Sequence, residues 1–295
     1  MPSKETIFAK GTEAIRRITG ADKDLYACPL CRSAFPKEAL DTGSLTLEHV
    51  PPDSIDGRGI VLTCHKCNSK AGHTIEAQLH RRRELIKFAQ ALTGEGDYSG
   101  RIQLTMSETE TNVDAEIEDG QLRMVVPDEI NDPEHREGQF EKLDQMAEND
   151  TWDGYKFNVS PAIRYNPRVA DLSYLKSGYL AAFAALGYLY AMQKSLEVVR
   201  EQLSNPEEKL ISNYMITLPE SEPTERKMIR VEEPLNAIAV QIDRRLVFLP
   251  PVDSHDKFYE SFNELLKSQS DSSNFRGIQW DFPAGREFHI DFLTT

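Results

Sequence analysis

Two Cys-x-x-Cys pairs constrain the fold of this chain more than any other feature of its sequence. The 295 residues include four cysteines, and all four fall in these pairs, Cys28/Cys31 and Cys64/Cys67. Four thiolates in two such pairs match the number and softness of the ligands in a tetrahedral zinc site. Because four protein ligands leave no open position for water, we expect this zinc to stabilise the fold and to take no part in catalysis.

The segment between the two pairs is too long for a compact zinc ribbon. It contains 32 residues, whereas the inner gap of a ribbon is typically about 15 to 20 residues. Apolar and polar residues alternate in SLTLEHV, which predicts a strand that ends before Pro51-Pro52, since proline cannot donate to a strand ladder. GIVLTC predicts a second strand, and CHKCNSKAG predicts a turn that leads into a helix. A further helix is expected upstream, from Lys4 to Ile18.

This order of elements resembles the HNH endonuclease family, in particular its zinc-containing branch, in which two Cys-x-x-Cys turns bracket a ββα-metal motif. The resemblance rests on the two cysteine pairs, on LEHVPP at 47–52 and on CHKCNSKAG at 64–72. It covers roughly residues 20 to 75. It implies an N-terminal treble-clef-like ββα-metal domain with a structural Zn²⁺.

The resemblance also implies roles for single residues. His49 is expected to be the general base that activates a water, and histidine can accept a proton near neutral pH. Glu48 and Asn68 are expected to hold one catalytic Mg²⁺ or Mn²⁺, since hard cations prefer carboxylate and amide oxygens. His73, close to the start of the helix, is an additional candidate ligand that replaces or supplements Asn68.

The sequence departs from the family pattern at two points. The middle Asn of the family, which braces the loop between the two strands, has no counterpart in DSIDGRGIV. In addition, Glu48 and His49 are neighbours, and neighbours in a regular strand point to opposite faces. The two side chains therefore serve one site only if the strand bends between them.

The charge of the chain is divided unevenly along its length. The formal net charge is -14, but residues 1–104 contain 15 Lys and Arg against 13 Asp and Glu, so the acidity belongs to the remainder. A DNA partner therefore remains compatible with the first region. The run from Arg81 to Arg83 could contact DNA, and the alternative is that it forms an ordinary solvated helix face. The candidate DNA-binding residues are Lys66, Lys70, Arg81, Arg82 and Arg83.

The remainder of the chain predicts a second domain. GEGDYSG at 94–100 has the composition of a linker, so we expect an HNH domain at 1–100 and an acidic α+β domain at 101–295. The second domain is expected to contain a hairpin turn at Asp119-Gly120, a long central apolar helix from Tyr174 to Leu203, and short strands at MITL, AIAVQI, RLVFL and EFHIDFL. A regulatory, partner-binding or homodimerising role is the expectation for it.

These features together predict a metal-dependent endonuclease that hydrolyses DNA phosphodiester bonds, with a role in defence against phage or plasmid DNA. A location in the cytoplasm is expected, because the N-terminal residues lack an apolar signal-peptide core and no apolar run reaches the length of a membrane helix. One alternative is a non-catalytic treble-clef zinc module that binds nucleic acid or protein. Another is a nuclease that acts on RNA.

Overall fold

The computed structural model describes residues 2–20, 22–106, 109–127, 158–161, 163–252, 257–268 and 276–284, with isolated positions between 138 and 149. Residues 1–79 and 167–295 form one unit, here the discontinuous unit, and residues 80–166 form the inserted unit. This division differs from the predicted boundary near residue 100. The reason is that apolar residues of the first region, such as Ile7, Tyr26 and Leu62, share one core with Tyr179 and Phe183.

The protein combines helices with antiparallel strands, which confirms the α+β class. The helices described are α1 (Lys4–Thr19), α2 (His65–Ala71), α3 (Ala77–Leu92), α4 (Pro167–Ala191), α5 (Glu197–Ser204) and α6 (Phe258–Ser268). A π-helical turn, Gly72–Glu76, joins α2 to α3. The strands described are β1 (Tyr26–Ala27), β2 (Ala34–Phe35), β3 (Leu45–Val50), β4 (Arg58–Cys64), β5 (Tyr98–Met106), β6 (Thr109–Glu118), β7 (Gln121–Val125), β8 (Asn158–Pro161), β9 (Met215–Thr217), β10 (Glu225–Val231), β11 (Ala237–Asp243), β12 (Arg245–Leu249) and β13 (Gly277–Asp281).

The predicted elements of the first region are present. Helix α1 begins after Ser3, whose side chain accepts a hydrogen bond from the Thr6 amide, and it ends at Gly20 in the left-handed conformation. The two predicted strands form the antiparallel β3–β4 hairpin, and α2 begins directly after β4. The hairpin and the helix together give the ββα order that the sequence predicts.

The long apolar helix differs from its prediction. The sequence predicts one helix from Tyr174 to Leu203, whereas α4 begins at Pro167 and ends at Ala191, and the separate helix α5 follows. Near its end, α4 is interrupted at Gly187, whose φ of 75° lies outside the helical range and favours glycine. Most of α4 is buried.

Helix α4 packs against a five-stranded sheet with the order β13-β10-β11-β12-β9. A Cβ atom on Gly178 would lie 2.9 Å from the Val247 side chain, so the glycine lets the helix approach the sheet closely. The predicted strands at MITL, AIAVQI and RLVFL are confirmed as β9, β11 and β12. The strand predicted at EFHIDFL lies outside the described residues.

The inserted unit contains a second antiparallel sheet, with the order β7-β6-β5-β8. Phe88 and Ala91 of α3 share a buried cluster with apolar residues of β5 and β6. The predicted hairpin turn at Asp119-Gly120 is confirmed between β6 and β7, and both residues have positive φ. None of the helices in the described part of the chain combines the length and apolar character needed to cross a membrane.

Candidate functional site

The four cysteines predicted to bind zinc lie together in the discontinuous unit. Their Sγ atoms are all within 4.8 Å of one another, and the Sγ atoms of Cys31 and Cys64 are 3.7 Å apart. Tetrahedral zinc with Zn–S bonds of about 2.3 Å places its sulfur ligands about 3.8 Å apart. The cluster is therefore compatible with a structural zinc site, in agreement with the prediction.

Local backbone geometry brings each pair of thiols to the cluster. In the first turn the Cys28 amide donates to the Ser33 carbonyl, and Arg32 takes a positive φ of 65° to close the turn. In the second, Cys64 caps α2, because its Sγ accepts from the Cys67 amide. Hydrogen bonding to the Cys28 thiol, followed by burial, raises the pKa of the Cys64 thiol. A thiol whose pKa is raised in this way keeps its proton unless a cation replaces it.

Tyrosine hydroxyls attach the first cysteine turn to the rest of the discontinuous unit. Tyr179 of α4 donates to the Pro29 carbonyl at 2.7 Å, and Tyr188 donates to the Ala27 carbonyl at 2.7 Å. Both tyrosines are buried. The helix predicted to centre a separate domain therefore contacts the cysteine turn directly.

A β-bulge lies between the two residues predicted to act in catalysis. Glu48 pairs with Val61 and His49 pairs with Gly59, so Ile60 of β4 is the additional residue. A bulge increases the local twist and changes the direction of neighbouring side chains. The strand is therefore irregular where the sequence requires a bend, although Glu48 is only 3% exposed and His49 is partly exposed.

The loop after β3 is held by a residue that the sequence did not indicate. Arg226 of β10 donates from Nη1 to the Asp56 carbonyl at 2.7 Å and from Nη2 to the Ile55 carbonyl at 2.5 Å. A Cβ atom on Gly57 would lie 1.5 Å from the Pro51 carbonyl oxygen, so this position requires glycine. Arg226 thus braces the loop for which the sequence contains no middle Asn.

Glu48 belongs to a buried cluster of charged groups, here the Lys176 cluster, which consists of Glu48, Glu76 and Lys176. The Lys176 Nζ atom is 2.5 Å from Oε1 of Glu48 and 2.5 Å from Oε1 of Glu76. The Thr63 hydroxyl donates to the other oxygen of Glu48, Oε2, at 3.0 Å. The Lys176 and Glu48 side chains are 2% and 3% exposed, whereas the Glu76 side chain is 22% exposed.

The ionisation of the Lys176 cluster follows from burial and from its neighbours. Burial raises the pKa of Glu48, and the Lys176 ammonium acts in the opposite direction. For Lys176, burial acts to lower the pKa, but the two carboxylates outweigh it and raise the pKa. Lys176 is therefore a buried ammonium ion whose charge is matched by carboxylates.

Asn68 lies on the same side of the β3–β4 hairpin as Glu48. Its Nδ2 atom donates to the Thr46 hydroxyl at 2.9 Å, and that hydroxyl donates to the Thr63 carbonyl at 3.3 Å. Thr63 contacts Glu48 with a different group, its side-chain hydroxyl, so Asn68 and Glu48 are linked through Thr46 and through the two polar groups of Thr63. The bond through Nδ2 leaves the amide oxygen of Asn68 available as a ligand.

The remaining predicted residues lie on α2, on the π-helical turn and on α3. His73 is exposed, and its Nδ1 atom is 2.8 Å from the Ser69 carbonyl oxygen. Lys66 is exposed, and Lys70 donates from Nζ to the Ser204 carbonyl at 2.6 Å. On α3, the exposed position is Arg81, and the partly exposed positions are Arg82 and Arg83.

Sequence reasoning missed Lys176, Glu76 and Arg226. A signal for Lys176 was present, because it is the only charged residue between Asp171 and Lys194 in an otherwise apolar helix. A charge in such a setting requires a buried partner. Glu76 and Arg226 offered no comparable signal.

Comparison of the chain with protein-family models, curated proteins and solved structures finds no match.

Proposed function

We propose that this protein is a metal-dependent endonuclease of the HNH type that hydrolyses DNA phosphodiester bonds. The observation that supports the proposal is that Asn68 on the helix and Glu48 on the strand both contact the threonines of the β3–β4 hairpin, Asn68 through Thr46 and Glu48 through Thr63. His49 is the next residue along β3, beyond the bulge. These are the three residue types that the resemblance requires, on the elements that it requires.

In this proposal His49 takes the proton of the attacking water at a ring nitrogen. Partial exposure of the histidine suits that role, because the water and the phosphate must both reach it. Arg226 and Gly57 keep the loop after His49 in place through the contacts described above. They position the base without contacting the substrate.

Glu48 and Asn68 are the residues that would hold Mg²⁺ or Mn²⁺. Their carboxylate and amide oxygens fit a hard divalent cation, which would supply stabilisation of negative charge on the phosphate during hydrolysis. Glu48 contacts the Lys176 ammonium in this structure, so the carboxylate already has a cationic partner. Lys66 on α2 is exposed and lies two positions before Asn68, so it is a candidate for a contact with the phosphate.

The proposal is tested with supercoiled plasmid, incubated with zinc-loaded protein and either Mg²⁺ or Mn²⁺. We expect nicked or linear DNA with the wild-type chain and none with His49→Ala. His65→Ala is the matched control, because His65 is exposed and has no role in the proposal. Equal cleavage by His49→Ala would overturn the role of His49. Single-stranded DNA and RNA are assayed in parallel to define the substrate.

A second candidate function is a non-catalytic treble-clef zinc module that binds nucleic acid or protein. The observation that favours it is the burial of Glu48 and its ion pair with Lys176, which is also the arrangement of a structural residue. This alternative predicts no cleavage of any of the three substrates by zinc-loaded protein. It also predicts that Glu48→Gln changes the free energy of unfolding, and that no nuclease activity is present for the substitution to remove.

A further inference from the structure

We propose that Lys176 is a built-in cation that controls whether a divalent metal reaches Glu48. In the arrangement described here the Lys176 ammonium excludes the metal, and the metal binds only after the ammonium has moved away from Glu48. The inference concerns regulation of the site and rests on the proposed role of Glu48 as a metal ligand.

Both oxygens of Glu48 are engaged in this structure. Oε1 accepts from the Lys176 ammonium at 2.5 Å, and Oε2 accepts from the Thr63 hydroxyl at 3.0 Å. A divalent metal on Oε1 would lie beside the ammonium, and two positive charges so close repel strongly in a buried site. The two cations therefore compete for the same carboxylate.

Glu76 is a second ion-pair partner for the Lys176 ammonium after it leaves Glu48. Its carboxylate is also 2.5 Å from the ammonium, but the side chain is 22% exposed, compared with 3% for Glu48. A small movement of the flexible lysine side chain toward Glu76 keeps one ion pair and frees Glu48. Glu76 also ends the π-helical turn, a rare backbone form that is frequent at functional sites.

The second carboxylate, on Glu76, also limits the free-energy cost of moving the Lys176 ammonium away from Glu48. Moving a buried ammonium into an uncompensated position costs several kcal/mol, which would prevent the exchange. Here the ammonium never loses all of its partners, because Glu76 remains. The incoming metal in turn neutralises Glu48, which would otherwise be a buried charge without a partner.

The test measures Mn²⁺ binding by calorimetry on zinc-loaded, full-length protein, so that its readout is independent of nuclease activity. Lys176→Gln removes the competing charge but keeps a polar side chain in the same position. We expect it to bind Mn²⁺ at least about tenfold more tightly than the wild-type chain, since a like charge has been removed. The gain should disappear in Glu48→Gln/Lys176→Gln. Lys87→Gln, which removes an exposed lysine, should leave Mn²⁺ binding unchanged.

One arm of the test does not depend on the folding of any Lys176 variant. If the metal reaches Glu48 once Lys176 has moved, bound Mn²⁺ still uses the Glu48 carboxylate, so Glu48→Gln in the otherwise wild-type chain should weaken Mn²⁺ binding at least about tenfold. A Mn²⁺ affinity within about twofold of the wild-type value in that variant would show that the metal does not reach Glu48 and would overturn the inference. Unchanged Mn²⁺ affinity in folded Lys176→Gln would overturn it as well.

The outcomes separate the inference from the proposed function. Tighter Mn²⁺ binding by Lys176→Gln without cleavage of DNA or RNA supports the inference on metal access and contradicts the proposed nuclease. Cleavage by the wild-type chain, with Mn²⁺ affinity that Lys176→Gln does not alter, supports the nuclease and contradicts the inference.

Discussion

The cysteine cluster and the Lys176 cluster are two cation sites in one unit, and they differ in where the cation would come from. The cysteine cluster consists of four thiols with Sγ atoms within 4.8 Å of one another, and its donors converge on a position for an external cation. The Lys176 cluster has two carboxylates and supplies its own cation from α4. The first arrangement is compatible with a structural zinc ion. The second already contains a cation, the Lys176 ammonium.

This difference has a consequence for stability. A structural zinc in the cysteine cluster would contribute its binding free energy to folding, so the stability of the discontinuous unit would depend on metal supply. The Lys176 cluster contributes through an internal ion pair, which forms without a metal ion. Substitutions in the two clusters and in the elements around them test this difference.

The largest effect is expected from Cys64→Ser. Structural zinc is worth about 10–16 kcal/mol in zinc-finger peptides, which matches or exceeds the stability of about 5–15 kcal/mol of a typical domain. We therefore expect loss of zinc and of cooperative unfolding of the discontinuous unit. Metal analysis and thermal unfolding by circular dichroism measure both. Ser33→Ala, an exposed change in the first turn, is the control. Retention of one zinc per chain by Cys64→Ser would contradict the assignment.

The second-largest loss of stability is expected from Lys176→Met. It leaves Glu48 buried without a cationic partner, which typically costs about 3–5 kcal/mol. The double variant Glu48→Gln/Lys176→Met should recover most of that loss, because no buried charge remains without a partner. Urea unfolding of the single and double variants gives the coupling energy. Additive losses in the double variant would mean that the two residues do not depend on each other.

A moderate effect is expected from Arg226→Ala, which removes two donors to the loop after β3. Hydrogen bonds from charged groups are each worth about 1.5–3 kcal/mol, and partial exposure of this side chain reduces the value toward about 1–3 kcal/mol in total. Hydrogen exchange at Ile55, Asp56 and Gly57 should become faster. Lys227→Ala on the same strand should leave these amides unchanged. If exchange stays slow in Arg226→Ala, Gly57 packing alone holds the loop.

The smallest effect is expected from Asn68→Ala. It removes the hydrogen bond to Thr46, which is worth about 0.5–1.5 kcal/mol. Thr46→Val should cost a similar amount, and the double variant should cost little more than either single change. A double variant whose loss equals the sum of both would place Asn68 and Thr46 in separate interactions and weaken the link from Asn68 to Glu48.

The parts of the site that local sequence determines could be predicted. The cysteine cluster, the β3–β4 hairpin and the start of α2 follow from motifs that span only a few residues each. The Lys176 cluster could not be predicted in the same way, because Lys176 lies 128 positions after Glu48. Their contact depends on how α4 packs, and the spacing of residues along the chain contains no information about that packing.

The same reasoning applies to the domain boundary and to the long helix. The composition at 94–100 is typical of a linker, but residues 98–100 belong to β5. The apolar residues of α1, β1 and β4 share their core with α4, which follows the inserted unit in the sequence. The break at Gly187 depends on a single backbone conformation, which a continuous apolar pattern does not reveal.

The most direct test is the rate of plasmid cleavage by Lys176→Gln in Mn²⁺, measured beside the wild-type chain and beside His49→Ala/Lys176→Gln. We expect Lys176→Gln to cleave faster than the wild-type chain, because Glu48 is free to bind metal, and we expect the double variant to be inactive. A nuclease whose metal access is controlled by Lys176 would be contradicted by the absence of cleavage in all three chains, by a rate for Lys176→Gln no higher than the wild-type rate, or by equal cleavage with and without His49.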